Sequence, residues 1–250
     1  MLAAERHRII LSKARESGTV RTSDLARTFG CAEETIRRDL DLLARNGHLS
    51  RTHGGALDPT AALAELPQDE RETRQAAEKE VIAKSAAKLI QPQETILLDA
   101  SSTALELARN LPGDIRVITY SLAVTDRLSS RSDLELVQLG GSYEPKGRRF
   151  SGILTENAVL SMRIDRFFFS GRGFDMAMGI SEPNPEQARL KTLMLRHAAW
   201  SCALIDHTKL GLRSDYFFAK LGDFATLISN PAAKSFFRGK IRSLPFEIIT

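Results

Sequence analysis

The chain has 250 residues, 42% of them apolar and 26% charged, which is the composition of an ordinary globular protein with room for two domains. Its two cysteines, Cys31 and Cys202, stand far apart and form no disulfide framework, so a reducing compartment is expected. The start, MLAAERHR, meets charge too early for a signal peptide, and no apolar run is long enough to span a bilayer, so a cytoplasmic protein with no membrane partner is expected.

The net charge of +4 permits nucleic acid as a partner without requiring it. Its placement says more. Residues 1–56 hold ten Lys and Arg against seven Asp and Glu, whereas residues 57–80 hold three against seven.

In chain order, Leu2 to Ser17 reads as a helix closed by Gly18, followed by an extended Thr19 to Arg21. Thr22 or Ser23 can cap a short second helix, SDLARTF, which Gly30 stops. A third helix is expected from about Ala32 to Asn46, ended by Gly47 where a left-handed residue is wanted. At 100° per residue Ile36, Leu40 and Leu43 share one face of it, while Glu34, Arg38, Asp41 and Arg45 lie opposite, flanked by Thr35 and Arg37. HLSRTHGGAL then reads as two short strands. A short helix, a tight turn and a helix with exposed Arg near its start form a helix-turn-helix, and the strands behind it form a wing.

The candidate DNA-binding residues are therefore Glu34, Thr35, Arg37, Arg38 and Arg45 on the third helix and Arg51, Thr52, His53, Gly54 and Gly55 in the wing. Arg suits bidentate contacts to guanine, and Arg51 and His53 suit phosphate. Asp39, toward the buried edge, is expected to pair with a nearby Arg.

A connector is expected over 57–75, with a long charged helix running from Gln68 to Ile90. Domains of 1–56 and 76–250 follow. Beyond Pro92, short apolar runs (TILLDA, IRVITY, LELVQLGG, DRFFFSG, SCALID, FATLIS, FEIIT) alternate with helical segments. That pattern predicts an α/β domain whose mostly parallel sheet is covered on both faces.

Ligands bind such sheets outside the carboxyl ends of the strands, where helix N-termini offer N–H groups to phosphate. LLDASST places Asp99, Ser101, Ser102 and Thr103 at one such end. ITYSL places Ser121 and Leu122 at the next, and Gly140-Gly141 end the third. The five His residues show no metal-ligand spacing with the cysteines, so neither metal nor cofactor is expected.

The run FGCAEETIRRDLDLLARNGHLSRTHGGA closely resembles the signature of the DeoR family of bacterial regulators, with Ala32 where that family usually has a Ser cap. Glu94 to Asn230 resembles the same family's effector domain, whose fold is shared with ribose-phosphate isomerase, glucosamine-phosphate deaminase and CoA transferases. The resemblance implies a repressor of carbohydrate genes that binds double-stranded operator DNA as a homodimer or homotetramer and is relieved by a phosphorylated sugar. Carried over residue by residue, it implies a phosphate held by Ser101 to Thr103 and Ser121, cationic contacts from Lys191 and Lys209, and a site completed by Asp99, Leu122, Gly140, Gly141 and Asp206. Tyr120, Gln187 and Asn230 depart from the family's Asn, Glu and Asp, which bears on the identity of the sugar. The competing reading is an isomerase or deaminase fused to a DNA-binding module, with Asp99 and Asp206 as candidate bases.

Overall fold

The computed structural model describes residues 2–17, 19–52, 54–57, 66–239 and 241–250. The chain divides into two compact units, Met1–Ala64 and Glu65–Thr250.

The first unit contains α1 (Ala3–Ser17), β1 (Thr19–Arg21), α2 (Thr22–Phe29), α3 (Glu33–Arg45), β2 (Ser50–Thr52) and β3 (Gly55–Leu57), with the strands antiparallel in the order β1-β3-β2. Ile36, Leu40 and Leu43 of α3 are buried against Ile10 and Ala14 of α1 and Leu25 and Ala26 of α2, as their helical spacing dictates. Gly30 (φ +62°) ends α2, and Gly47 (φ +76°) follows α3, with the His48 N–H returning to the Leu43 carbonyl at 2.9 Å. This is the expected winged helix-turn-helix.

The helix starts differ from the reading above. Neither Thr22 nor Ser23 caps α2; Arg21 holds the cap position without a side-chain bond. Thr22 is instead the first helical residue, and its N–H donates to the Gly54 carbonyl at 2.9 Å across the small sheet. Ala32 likewise starts α3 with no side-chain cap.

The two wing glycines are not equivalent. A Cβ on Gly55 would overlap the Val20 carbonyl, so close pairing of β1 with β3 dictates glycine there; Gly54 has open space around it.

The second unit runs α4 (Gln68–Thr73), α5 (Ala76–Ala87), β4 (Thr95–Leu98), α6 (Ser102–Ala108), β5 (Arg116–Thr119), α7 (Leu122–Leu128), β6 (Glu135–Gln138), β7 (Ser142–Glu144), β8 (Arg149–Ser151), α8 (Ile153–Leu160), β9 (Arg166–Phe169), β10 (Gly173–Asp175), β11 (Gly179–Glu182), α9 (Pro185–His197), β12 (Trp200–Leu204), β13 (Tyr216–Ala219), β14 (Thr226–Ile228), α10 (Lys234–Phe237) and β15 (Glu247–Ile249). Seven strands form one parallel sheet in the order β15-β14-β12-β9-β4-β5-β6. These are the seven apolar runs read from the sequence. Strand alternation splits them between two cores. Leu97, Phe167, Phe169 and Ala203 face α8, α9 and the antiparallel strands, while Ile96, Leu98, Phe168 and Leu204 face α5, α6 and α7.

The chain builds this sheet outward twice, from β4 through β5 to β6, then from β9 through β12 and β14 to β15. The order reverses between β4 and β9, and a crevice at the carboxyl ends of those strands is where a ligand belongs.

Two features were not expected. A hairpin β7-β8 and a three-stranded antiparallel sheet β10-β11-β13 flank the main sheet. The predicted helix from Gln68 to Ile90 is also broken: Arg74 is extended and Gln75 is left-handed at φ 51°. An unbroken helix would use the Arg71 and Arg74 carbonyls in its own ladder. Here both accept hydrogen bonds from Lys79 Nζ instead.

Candidate nucleic-acid interface and anion site

Helix α3 presents a polar face. Side-chain exposure is 79% for Arg38, 53% for Arg37 and 59% for Glu34, and Arg45 is exposed at the far end. Arg37 lies 3.1 Å from Glu33, and Arg38 lies 3.4 Å from Glu34. Such exposed pairs one turn apart are worth only about 0.3–0.5 kcal/mol, so either guanidinium exchanges its partner readily. Thr35 is half-buried between this face and the core, and Thr52 is exposed in the wing. Arg51 ties the wing to α3, with Nε 2.7 Å from Asp41 and Nη1 donating to the Gly55 carbonyl. His53 lies outside the described residues.

Asp39 is structural, as expected. It is buried, and Arg6 Nε (2.5 Å), Arg6 Nη2 (3.1 Å) and His7 Nε2 (2.7 Å) converge on its carboxylate. Burial works against its charge, yet the bonds from Arg6 and His7 hold its pKa below the ordinary 3.8. A carboxyl depressed on folding contributes stability that is present above its unfolded value and is lost as pH falls through the folded one. Asp39→Asn is expected to cost about 2 kcal/mol at neutral pH and to flatten the loss of stability below about pH 4. Urea titrations at pH 7 and pH 3.5 read both effects.

At the crevice between β4 and β9, buried charges collect. Asp99 ends the first strand with no exposure at all. Its carboxylate accepts from the N–H groups of Ser101 and Ser170, each at 3.0 Å, and lies 2.9 Å from Lys191 Nζ. Lys191, reaching in from α9, also donates to Glu182 of β11 and to the Ser170 carbonyl at 2.7 Å. Burial opposes the Lys191 charge, but Asp99 and Glu182 hold the ammonium above the usual lysine range. Two hydrogen bonds and the ion pair to Asp99 thus make Lys191 the link between β4, β11 and the loop after β9.

Lys209 is placed differently. It donates to Ser170 Oγ at 2.9 Å and lies 3.5 Å from Asp206 Oδ2. Its pKa is lowered by burial first, which outweighs the support of Asp206; Arg172 and Lys191 add repulsion. Asp206 accepts from the Thr208 N–H at 3.0 Å and from the Thr208 hydroxyl; against its burial, Lys209 and Thr208 keep its pKa depressed.

Ser101 Oγ accepts from the Ala104 N–H at 3.1 Å and so caps α6. Ser102 and Thr103 follow it, buried, and among the described residues Thr103 Oγ1 has no hydrogen-bond partner. The same holds for Tyr120 OH and Gln187 Nε2. Glu182, and not the residue at 187, supplies the second carboxylate to Lys191. Asn230 Oδ1 accepts from the His207 N–H at 2.9 Å, which fixes the loop carrying Asp206 and Lys209.

The remaining expected residues make contacts within the unit. Ser121 caps α7 through the Val124 N–H at 3.3 Å, and the Leu122 N–H donates to the Arg148 carbonyl at 2.8 Å. The Gly140 carbonyl accepts from the Thr155 hydroxyl at 2.7 Å. A Cβ on Gly141 would overlap Thr155 and the Ser151 carbonyl. Gly141 thus lets β8 and α8 close against the third strand end, whereas Gly140 has open space around it.

Four charged groups of this cluster were missed in the sequence. Arg71 donates from Nη1 to the Ala100 carbonyl at 3.2 Å, in the loop that opens α6. Lys79 is buried and lies within electrostatic reach of Lys209 and Asp206. Arg172 follows β9, and burial lowers its pKa, with repulsion from Arg74 and Arg71 beside attraction from Glu182 and Asp206. Glu182 closes β11. Of these, Lys79 alone left a signal, because it stands three, four and seven residues before the buried Ile82, Ala83 and Ala86.

A winged helix followed by an α/β unit with charged side chains buried at its central strand ends points to a DNA-binding regulator with a sensing unit. The DeoR-like helix-turn-helix domain matches residues 6–61, and the DeoR C terminal sensor domain matches residues 74–231. The chain belongs to the DeoR family of transcriptional regulators. It is 36% identical over 231 residues to the HTH-type transcriptional regulator YulB of Bacillus subtilis, covering 92% of this chain and 90% of the relative. It is 34% identical to the HTH-type transcriptional regulator GolR of Listeria innocua (86% and 85% covered) and 28% identical to the glycerol-3-phosphate regulon repressor of Escherichia coli (84% of each). Ribose 5-phosphate isomerase A from Neisseria gonorrhoeae aligns with a TM-score of 0.40 at 16% identity, over 72% of this chain and 68% of that one. Among the described residues no helix is long and apolar enough to cross a membrane, and no group of His, Cys, Asp and Glu is arranged to hold a metal.

Proposed function

We propose that this regulator represses genes of carbohydrate catabolism and that a phosphorylated sugar, or a related phosphorylated intermediate, relieves the repression. The observation that carries the reading is the charge balance at the crevice. Among the described residues Arg71, Lys79, Arg172, Lys191 and Lys209 gather there with Asp99, Glu182 and Asp206, so that cations predominate as an excess of positive charge. A phosphate monoester carries about −1.5 to −2 near pH 7 and complements that excess. We assign the phosphate to the Ser101–Thr103 turn and Lys209, with the unpartnered Tyr120, Thr103 and Gln187 atoms available to sugar hydroxyls. The name of the Escherichia coli relative, a glycerol-3-phosphate regulon repressor, is consistent with this class of effector.

An enzymatic role finds less support. General-base catalysis needs a carboxylate free to take a proton. Asp99 is held between two N–H groups and Lys191, and Asp206 between Thr208 and Lys209, so each carboxylate already serves the structure.

On operator DNA we assign base contacts to Glu34, Thr35, Arg37 and Arg38 and backbone contacts to Arg45, Arg51, Thr52, His53 and the Gly54-Gly55 backbone. Arg38→Ala is expected to weaken operator binding by about 1–3 kcal/mol and to relax specificity at one base pair. Arg51→Ala weakens all sequences alike and flattens the salt dependence. Anisotropy titrations against operator variants at several salt concentrations test this; wild-type binding by both proteins would remove α3 as the reading helix. One winged helix contacts too few base pairs for high specificity, so the active species is expected to be a homodimer or homotetramer. Light scattering that finds a monomer at micromolar concentration, with and without DNA, would contradict that.

A further inference from the structure

Lys79 is the one lysine of the crevice that no carboxylate holds among the described residues. It is 5% exposed. Two of its three N–H groups donate to the main-chain carbonyls of Arg71 and Arg74, and among the described residues no acidic side chain lies within ion-pair distance. Lys191 and Lys209, by contrast, each have a carboxylate partner. A buried ammonium without a counter-ion is costly, and an anionic ligand beside it supplies the missing charge.

The two carbonyls that Lys79 engages lie in the last turn of α4 and at the break that follows it, where Gln75 takes its left-handed conformation. Arg71, on that last turn, holds the Ala100 carbonyl immediately before the Ser101–Thr103 turn. One short segment thus carries both the unpaired cation and a tether to the loop assigned to phosphate.

We propose that Lys79 and Arg71 are part of the effector's phosphate site, so that occupancy of the site and the conformation of residues 71–75 are a single equilibrium. This rests on the reading of the sensor unit as a phosphate binder and adds how that site is regulated. Residues 71–75 follow the DNA-binding unit closely in sequence, so ordering them gives the effector a route to operator affinity.

The groups facing Lys79 set a pH signature. Burial lowers its pKa to about 8; Lys209, beyond β12, and Arg71, on α4, add repulsion, while Asp206 and Glu106, the latter on α6, partly offset it. A dianion held beside the ammonium favours its charged form, so binding above pH 8 must draw in a proton, and affinity must fall as pH rises past that point.

The test uses the full-length protein and sulfate, a dianion that does not titrate in this range. Calorimetry is run at pH 6.5 and 8.5 in two buffers of different ionisation enthalpy, with sodium chloride at matched ionic strength as control. Expected are proton uptake at pH 8.5 and little at 6.5, at least tenfold weaker binding to Lys79→Met with the uptake abolished, and recovery of affinity in Lys79→Arg. Hydrogen exchange at residues 71–75 is expected to slow in wild type when sulfate is added. The wild-type uptake and exchange need no variant, so they decide the matter if Lys79→Met does not fold. Sulfate binding to wild type with no proton uptake and no slowing at 71–75, or with Lys79→Met unaltered, overturns the proposal and leaves the phosphate reading standing. No sulfate binding to wild type at all overturns both.

Discussion

An Asp99→Asn protein is expected to lose about 3–5 kcal/mol of stability, the cost of breaking a buried ion pair from one side. The substitution keeps the volume, so no cavity contributes. It removes the charge that Lys191 meets at 2.9 Å and leaves Glu182 as that lysine's remaining carboxylate partner. It also sets an amide against two N–H groups, those of Ser101 and Ser170, which now donate to separate carboxylate oxygens. At most one of those bonds can survive on the amide oxygen. Because the two N–H groups belong to the loops after β4 and β9, the damage falls on the crevice itself. Urea unfolding of the full chain should show the shift. A change below 1 kcal/mol would mean that the carboxylate is not sealed between the two strand ends.

Ser102→Asp is expected to make the protein deaf to its effector. Ser102 is the first helical residue of α6, buried beside the unpartnered Thr103 hydroxyl. A carboxylate there suits the helix dipole, so folding should survive. Toward a bound phosphate it is a like charge in a poorly solvated place. A loss of at least a hundredfold in effector affinity, about 2.7 kcal/mol, is expected. Operator binding in the absence of effector should be unchanged. Calorimetry with wild type and variant reads the first quantity and anisotropy the second. A variant that still responds to the metabolite would move the phosphate away from this turn.

The seven strands of the parallel sheet were legible because burial on both faces leaves near-continuous apolar runs such as RFFF and TILL. The strands β7, β8, β10 and β11 were not, since three- and four-residue strands holding Gly, Ser, Asp and Arg look like loops until they pair; β13, the apolar YFFA, was simply passed over. Helix α3 was legible through the spacing of Ile36, Leu40 and Leu43. Its neighbour's start was misread because the Gly54 carbonyl, distant in sequence, pairs with the Thr22 N–H and fixes the helix start one residue before Ser23. In the crevice, Asp99 and Ser101 to Thr103 announce themselves by standing at a strand end, whereas Asp206 and Lys209 were reached only through the family resemblance. Arg71 and Arg172 do not, because a charged residue bound for the interior is written like one bound for water. The role of Lys191 was also hidden: the sequence cannot show that Glu182, nine positions earlier, pairs with it.

The central claim is that a phosphorylated sugar and an operator compete through one protein. The direct measurement is operator affinity of the full-length chain, on a site selected from random DNA, with a panel of sugar phosphates and each unphosphorylated counterpart. The account predicts that at least one sugar phosphate weakens operator binding by 5- to 150-fold, the usual range for such coupling, that its unphosphorylated form does not, and that operator weakens sugar-phosphate binding by the same factor. Operator affinity indifferent to every phosphorylated compound, or equally sensitive to the unphosphorylated ones, would contradict it.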